Sequence, residues 1–419
     1  MRNSLLLLIF LSFNSFVALA QHEADNWYFG VRAGLSFKND TVVFIQGGQT
    51  GIRDGLTEGC AVISDKMTGD LQFYTDGETV WNRKHEVMKN GTGLLSGTSS
   101  CQGVVIVPNP GNDKLFYIFT APDLSPVNNR IKTIKLHYTV ASLENPDGEV
   151  IQKNIPLIDS IPEKMTATLD CSGTGFWVVT CHQRKSEIYS FHVTTEGVNP
   201  IPVISDYGPE AGEYGIFNTR SYFGSMKISP DRTKLAIIAA STTTPAIVLF
   251  NFNPKTGTVW GYNPLSLGKN IRECNGVAFS PDNTKLYVTG HTNIENLGSS
   301  FLFQFDVSLQ TPAEIRNSLM TTQRNIGIGV IQLGPDGRIY IVNEFGALDV
   351  IEEPNKKSPA FNYKAYAINF LPKADAQQGL PNFMDYIFSK PLPGPNPIAW
   401  CMPPRPHLHM PSLFLIAVV

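Results

Sequence analysis

The sequence has little charge and no helical pattern. Only 16% of its 419 residues are charged, and the net charge is −3 at a pI near 6.3. This balance gives no basic surface of the kind that binds nucleic acid or an anionic membrane. We find no apolar periodicity of about 3.6 residues, which a solenoid of helical repeats requires. Beyond the N-terminus no apolar run is long enough to span a bilayer, since the terminal SLFLIAVV has only eight residues.

The sequence also lacks the common catalytic and metal-binding motifs. H-E-x-x-H, G-x-S-x-G and Walker-type loops do not occur. GDLQFYTDG (69–77) has acidic residues near turns, but not at the spacing of a calcium loop. His407 and His409 offer only two metal ligands, so we attribute their spacing to chance. We therefore predict no catalytic residue, no metal and no cofactor, and a protein that is not an enzyme.

A short motif is repeated along the chain instead. SPDRTKLAIIA (229–239) and SPDNTKLYVTG (280–290) start 51 residues apart. Looser copies are GPDGRIYIVN (334–343), NPGNDKLFYIFT (109–120), DCSGTGFWVV (170–179) and SDKMTGDLQFYTD (64–76). In each copy a polar turn separates two strand-like apolar runs, which predicts a β-hairpin. A third strand-like run follows most hairpins, such as FLFQFDV (301–307), and four short strands fill a period near 50 as a propeller blade does.

These repeats predict an all-β protein folded as one closed β-propeller. The 35 glycines and 29 prolines agree with a fold rich in turns. The six repeats leave NWYFGVRAGLSF (26–37) and QGLPNFMDYIF (378–388) unassigned. We predict that these N- and C-terminal strands share a last blade, which would remove the open sheet edge. Seven four-stranded blades are expected, with six or eight as the alternatives.

The two ends of the chain predict export. Residues 1–20 combine Arg2, an apolar run from Leu5 and the sequence Ala18-x-Ala20, which indicates a signal peptide cleaved before Gln21. An uncleaved anchor is the alternative. We expect residues 21–390 to form the propeller and the Pro-rich residues 391–419 to be disordered. The mature chain is then secreted or held at the cell surface, with the periplasm as an alternative.

Small residues begin the predicted inner strands. Glycine permits a close backbone approach at a crowded channel, and ordinary loop glycines are the alternative. The residues concerned are Gly59, Gly103, Gly224, Gly276, Gly329 and Gly379. Cys60, Cys101 and Cys274 occupy similar positions, so we favour buried thiols over disulfides for the six cysteines. Cys171 and Cys181 are predicted to lie too far apart on one hairpin to bond.

Several stretches resemble a known family. The stretches are NWYFGVRAGLSF, EGCAVISDKMTGDLQFYTDGETVWNRKHEVMKNGTGLLSG (58–97), CQGVVIVPNPGNDKLFYIFT (101–120) and GLPNFMDYIF. They resemble the N-terminal β-propeller region of surface proteins exported by type IX secretion in Bacteroidetes-type bacteria, and SPDNTKLYVTG is similar to YVTN and WD-type repeats. The resemblance implies immunoglobulin-like modules and a sorting domain after the propeller. Only the Pro-rich stretch follows Lys390 here, which suggests either a truncated gene or another export route.

Two classes of function fit these features. The first is an exported, monomeric binding or scaffolding module that holds a protein, peptide or glycan. The second is a hydrolase or lyase that acts on an anionic carbohydrate or a lactone at the mouth of the channel. A pair of carboxylates that line one pocket would favour the second class.

Three arginines recur at a constant interval of 52 residues: Arg220, Arg272 and Arg324. Each is predicted in the loop that leads into an inner strand, and such loops surround one mouth of a propeller channel. The guanidinium groups would then form a site for a carboxylate, sulfate or phosphate. Glu273 is predicted to orient a neighbouring arginine, or to act as an acid in an enzyme. The alternative is that the arginines form separate salt bridges or point into water.

Limited proteolysis tests the predicted boundaries. We expect a protease to remove residues after 390 and to leave a resistant core of about 365 residues, from 26 to 390, because a closed propeller exposes little unpaired backbone. Mass spectrometry of the resistant fragment measures both ends. A stable fragment that ends near the middle of the chain would contradict a single domain.

Overall fold

The computed structural model describes residues 21–51, 58–97, 99–124, 134–208, 224–239, 246–268, 271, 273–292, 300–370 and 374–389. The predicted signal peptide and Pro-rich tail lie outside these residues. Strands dominate the described chain, and its only α-helix is α1 (Pro312–Asn317). The prediction of an all-β fold is therefore confirmed.

The first sheet is small and lies at the N-terminus. Its three antiparallel strands are β1 (Asn26–Phe29), β2 (Ala33–Ser36) and β3 (Val43–Phe44). Trp27 is fully buried, and its ring centre lies 5.4 Å from that of Tyr340 and 5.7 Å from that of Phe383. The N-terminal sheet therefore packs against residues near the C-terminus.

The second sheet has eight strands and contains two antiparallel meanders. The first meander is β4 (Ala61–Ser64), β5 (Leu71–Thr75), β6 (Thr79–Asn82) and β7 (Val87–Thr92). The second is β8 (Val104–Asn109), β9 (Asn112–Thr120), β10 (Leu136–Ser142) and β11 (Glu149–Ile158). A parallel bridge between Lys89 of β7 and Glu149 of β11 joins the two outer edges. The same residues form an ion pair of 2.8 Å.

The third sheet has five strands. They are β12 (Thr166–Leu169), β13 (Phe176–Cys181), β14 (Glu187–Thr194), β15 (Gly197–Val198) and β16 (Val203–Asp206). Both β15 and β16 pair with β14, at opposite ends of that strand.

Three sheets of four antiparallel strands complete the fold. The fourth sheet is β17 (Met226–Ile228), β18 (Lys234–Ala239), β19 (Ala246–Phe252) and β20 (Val259–Ser266). The fifth is β21 (Glu273–Phe279), β22 (Lys285–His291), β23 (Ser300–Asp306) and β24 (Met320–Arg324). The sixth is β25 (Ile328–Leu333), β26 (Ile339–Asn343), β27 (Leu348–Ile351) and β28 (Tyr363–Ile368).

The sheets have a propeller-like arrangement, in which each packs its apolar face on the next. Trp177 of the third sheet shares a buried cluster with Phe250 of the fourth, and Ile238 of the fourth shares one with Phe303 of the fifth. The predicted count of seven four-stranded blades is wrong for the described chain, where five sheets have four or more strands. Two expected blades are joined through β7 and β11, and the N-terminal sheet has only three strands.

The predicted C-terminal strand is also absent from the described residues. Residues 378–388 make one bridge, between Pro381 and Cys60, and then form the 3₁₀ turn Asp385–Phe388. Pro381 has no N–H to donate to a ladder. The side chains of Asn382 and Asp385 are engaged with other sheets, which holds this segment in an irregular conformation.

The repeated Ser-Pro-Asp motif forms the hairpin turns that the sequence predicts. Ser280 Oγ donates to Asp282 Oδ1 at 2.6 Å and accepts the Lys285 N–H at 2.9 Å. Ser229 makes the same contacts with Asp231 at 2.6 Å and with the Lys234 N–H at 3.0 Å. The motif thus supplies the hydrogen bonds that stabilise its own turn, which explains why it recurs.

A buried charge lies where the inner strands converge. Lys227 of β17 is fully buried, and its Nζ lies 3.1 Å from Asp385 Oδ1. The same ammonium donates to Gln332 Oε1 of β25 at 2.7 Å and to Asn382 Oδ1 at 3.2 Å. Burial lowers the pKa of Lys227 and raises that of Asp385, and each charge opposes the shift of the other. We name Lys227, Gln332, Asn382 and Asp385 the axial network.

The axial network reaches two further sheets through Asn382. Its Nδ2 donates to the carbonyl of Val104 and to that of Met165, each at 3.2 Å. Gln102 bridges Asn382 and the backbone of Met226. The C-terminal segment therefore contacts inner strands of four sheets at once.

Most of the predicted glycines lie in crowded places beside the inner strands. A Cβ on Gly59 would lie 2.9 Å from Gly103 N, one on Gly276 would lie 2.7 Å from Ile331 N, and one on Gly379 would overlap the Glu58 carbonyl. Gly329 has room, because a Cβ there would meet only Val342 O at 3.9 Å. Close packing of neighbouring backbone therefore explains why glycine occurs at the positions between adjacent inner strands. It does not explain the glycine at position 329.

Four of the five cysteines within the described residues are free thiols, as predicted. Cys60, Cys181 and Cys274 are buried and free, and Cys101 is free and half-buried. Cys171 is disulfide-bonded, which corrects that part of the interpretation, although it is not bonded to Cys181.

The axial network predicts a large loss of stability when one charge is removed. Lys227→Met leaves the Asp385 carboxylate buried without its counter-ion, so the free energy of unfolding should fall by about 3–5 kcal/mol. Adding Asp385→Leu to that variant should restore much of the loss. Urea denaturation of the single and double variants measures both changes.

The matched control is Lys84→Met, which removes an exposed ion pair of 2.6 Å with Asp147. Little change is expected there, because exposed pairs contribute little. Equal losses in the Lys227 and Lys84 variants would contradict the assigned role of the network.

Candidate functional site

The predicted anion site is only partly within the described chain. Arg220 and Arg272 lie outside the described residues, so the convergence of the three arginines stays a prediction. Arg324 was expected in a loop and is instead the last residue of β24, where it pairs with Ser300. Its guanidinium lies 4.1 Å from the centre of the Tyr363 ring, in the sixth sheet. This stacking gives Arg324 a partner in the neighbouring sheet.

Glu273 lies among other carboxylates. It is the first residue of β21 and pairs with His291 of β22. Burial raises the pKa of Glu273. Its charge also raises the pKa of Glu58, which precedes the inner strand β4. The two residues therefore lie at the same end of the inner strands.

Four acidic residues gather at this end, and we name Glu58, Asp123, Glu163 and Glu273 the carboxylate mouth. Glu58 accepts from Ser99 Oγ and from Cys101 Sγ, each at 3.4 Å. Burial raises the pKa of Glu58 to about 7, and the charges of Asp123 and Glu273 add to the shift. Glu58, Asp123 and Glu163 were not predicted from the sequence. The available signal was an acidic residue close before a predicted inner strand.

Glu163 is the most deeply buried member of the mouth. Its Oε1 accepts the Leu124 N–H at 2.5 Å, and its buried Oε2 has no hydrogen-bond partner. Burial raises the pKa of Glu163, and the charges of Asp123 and Glu58 raise it further. The next residue, Lys164, points its buried Nζ at the Ile238 carbonyl, 2.8 Å away.

The opposite end of the inner strands carries a cavity of about 700 Å³, which we name the turn-end cavity. The hairpin turns β4–β5, β8–β9 and β12–β13 surround it, so residues from three meanders meet there. Its buried floor consists of Phe116, Phe176 and Tyr386. Tyr386 belongs to the 3₁₀ turn that follows the axial network. The volume falls within the range of small-molecule sites, about 300–1,000 Å³.

The polar groups of the turn-end cavity are amides and charges of both signs. The lining residues are Glu23, Asp65, Lys66, Gln72, Asn109, Asn112, Asp113 and Lys114, among others. Burial raises the pKa of Glu23, and its buried Oε2 has no hydrogen-bond partner. The pKa of Asp65 is lowered despite some burial, because its own turn donates the N–H groups of Met67 and Thr68 to it.

In the described parts of the chain, neither end holds a recognisable metal centre. Within the described ranges, no three His, Cys, Asp or Glu side chains are placed to bind one ion. No helix of the described chain is long and apolar enough to cross a membrane.

Comparison with known proteins yields fold neighbours only. No protein family matches the chain, and no curated protein matches it. Solved structures with similarity include two proteins provisionally named 6-phosphogluconolactonase. The one from Bacteroides uniformis is 15% identical, with 75% of this chain and 86% of that chain covered and a TM-score of 0.41. The one from Bacteroides fragilis is 17% identical, with 77% and 84% covered and a TM-score of 0.36.

The propeller of Dos1 is also similar, at 11% identity with 67% of this chain and 64% of that chain covered and a TM-score of 0.41. These likenesses are too distant to assign an activity to this chain. Membership of the type IX surface family stays a prediction.

Glu58→Gln tests the electrostatics of the carboxylate mouth. A carboxyl with a raised pKa binds more protons in the folded than in the unfolded state, so it makes stability fall as the pH rises from about 4.5 to about 7. The stability of the glutamine variant lacks this fall with rising pH. It should therefore be more stable than the parent protein at about pH 8, and the difference should shrink at about pH 4.5.

Urea denaturation at both pH values measures the effect, with the exposed Glu196→Gln as the control. A difference between parent and Glu58→Gln that does not change with pH would refute the raised pKa.

Proposed function

We propose that the protein is an exported, propeller-like binding module that holds its ligand in the turn-end cavity. The supporting observation is the cavity itself, a concave space of about 700 Å³ built by turns of three meanders. The turns that surround it are held by local hydrogen bonds, such as those of Asp65 and Asn109, so the site is preformed. A preformed concave site loses little entropy on binding.

The lining favours a glycan over a strongly charged ligand. Lys66 and Lys114 lie at the exposed rim near Asp65 and Asp113, so positive and negative charges are balanced there. The side-chain amides of Gln72, Asn109 and Asn112 offer both donors and acceptors. Aromatic residues form the floor. A sugar ring, with hydroxyls at its edge and C–H groups on its faces, matches such a surface.

A hydrolase or lyase that acts on a carbohydrate or lactone is the second candidate, and one observation favours it. Glu23 and Asp65 line the same cavity, and their pKa values are shifted in opposite directions. Acid–base catalysis needs one carboxyl that keeps its proton and another that stays ionised. In this candidate Glu23 is the acid and Asp65 is the ionised partner.

A glycan and peptide binding screen with the mature chain tests the proposal. For any ligand found, Thr174→Trp should weaken binding by about tenfold or more, because Thr174 is exposed on the cavity wall and an indole would fill the space. Thr321→Trp is the matched control, since Thr321 is also exposed and lies on the outer strand β24. Equal affinity of the Thr174 variant and the parent would place the ligand elsewhere and refute the proposal.

Analysis of the bound ligand separates the two candidates. A binding module returns the ligand unchanged. Product formation that is lost in Glu23→Gln, with binding retained, would replace the binding proposal by the enzyme.

A further inference from the structure

We propose that the carboxylate mouth is a second binding site, and that it takes an organic cation with a primary ammonium group. This site lies at the opposite end of the inner strands from the turn-end cavity and does not depend on it. The proposal rests on how Glu58 and Glu163 contact one loop, on a buried carboxyl oxygen that lacks a partner, and on the partial exposure of the neighbouring acids.

Glu58 and Glu163 flank the same short loop, residues 99–103. Ser99 and Cys101 of this loop donate to the Glu58 carboxylate. On the other side, the Gln102 N–H donates to the Glu163 carbonyl at 3.2 Å, and Ser100 Oγ contacts that carbonyl at 3.4 Å. The fold therefore places Glu58 on one side of this five-residue loop and Glu163 on the other.

The hydrogen bonds of these carboxylates are incomplete. Glu163 is fully buried, and its Oε2 has no partner. The two donors to Glu58 are the Ser99 hydroxyl, at the long distance of 3.4 Å, and the weakly donating thiol of Cys101. Among the described residues no salt bridge reaches either carboxylate. A buried acceptor without a partner raises the free energy of the empty site, so a bound donor would be stabilised.

The position of the acids admits a ligand from outside. Glu58, Asp123 and Glu273 are partly exposed, whereas Glu163 is buried. In the proposed complex a cationic group lies beside the partly exposed acids, and Glu163 is its deepest contact. The Lys164 ammonium does not fill this position, because it donates to the Ile238 carbonyl.

The chemistry of the mouth fits an ammonium group better than a metal ion. Calcium requires about six to eight oxygens that converge at about 2.3–2.6 Å, and no three described acidic side chains are placed to hold one ion. An ammonium group instead directs three N–H donors outward, and the carboxylate oxygens that accept them lie about 2.7–2.9 Å from its nitrogen. It can therefore join carboxylates that stand further apart.

Calorimetry with cadaverine as the probe tests the proposal on the mature chain. Cadaverine should bind, and 1-pentanol, which has the same carbon chain without a charge, should not. Glu163→Gln should weaken cadaverine binding by about tenfold or more, because the amide keeps the acceptor for Leu124 but cannot ionise to pair with a bound ammonium. Glu196→Gln, an exposed residue elsewhere, should bind as the parent does.

Binding should also weaken as the pH falls through about 7, where Glu58 takes up a proton. Asp123, Glu163, Glu273 and the Cys101 thiol are the other ionisable groups that act on Glu58 or share the mouth with it. If Glu163→Gln does not fold, Glu58→Gln replaces it with the same expectation.

Three outcomes would overturn the proposal. The first is that the parent protein does not bind cadaverine. The second is that the parent and the Glu163 variant bind it with equal affinity. The third is that calcium chloride displaces cadaverine stoichiometrically at low millimolar concentration, which would identify the mouth as a metal site.

Discussion

The buried ion pair between Lys227 and Asp385 is the interaction on which the arrangement of the sheets depends. Lys227 lies on the inner strand of the fourth sheet, and Asp385 lies in the C-terminal segment. Burying two charges costs several kcal/mol per ion, so the pair is tolerated only with its further hydrogen bonds to Gln332 and Asn382. Gln332 comes from the sixth sheet and Asn382 from the C-terminal segment, so the network is complete only when the inner strands and this segment are in their native places. We therefore expect the network to contribute specificity more than stability.

The C-terminal segment connects the two candidate sites. At one end, Gly379 lies against the backbone of Glu58, which belongs to the carboxylate mouth. At the other end, Tyr386 contacts Phe176 and forms the floor of the turn-end cavity. The axial network holds the residues between them. A displacement of this segment would change both sites, although they share no lining residue.

The two ends differ in how their polar groups are satisfied. At the turn end, side chains such as Asp65 and Ser280 form hydrogen bonds within their own turns, which makes the turns rigid. At the mouth, Glu58 and Glu163 have raised pKa values because burial and neighbouring acids oppose their ionisation. Carboxyl groups with raised pKa values are found at functional sites more often than elsewhere. A bound cation would stabilise the ionised form of these carboxyl groups.

The sequence by itself determined the parts of the fold that depend on neighbours along the chain. The Ser-Pro-Asp turns form as predicted, because Ser229 and Ser280 bond to residues only two to five positions away. The apolar runs beside them became strands, so the all-β class was predictable. Glu273 was selected from the sequence and belongs to the carboxylate mouth, but its predicted role beside an arginine stays a prediction.

Only the tertiary structure decided what depends on distant residues. Lys227 meets Asp385 across 158 positions, and Asn382 meets Val104 across 278, so no local pattern reveals that residues 378–388 leave the strand conformation. The joining of β7 to β11 is likewise a contact between outer edges that were predicted as separate. Glu58 and Glu163 became a candidate site because burial and mutual charge act on them, and both quantities are properties of the packed molecule.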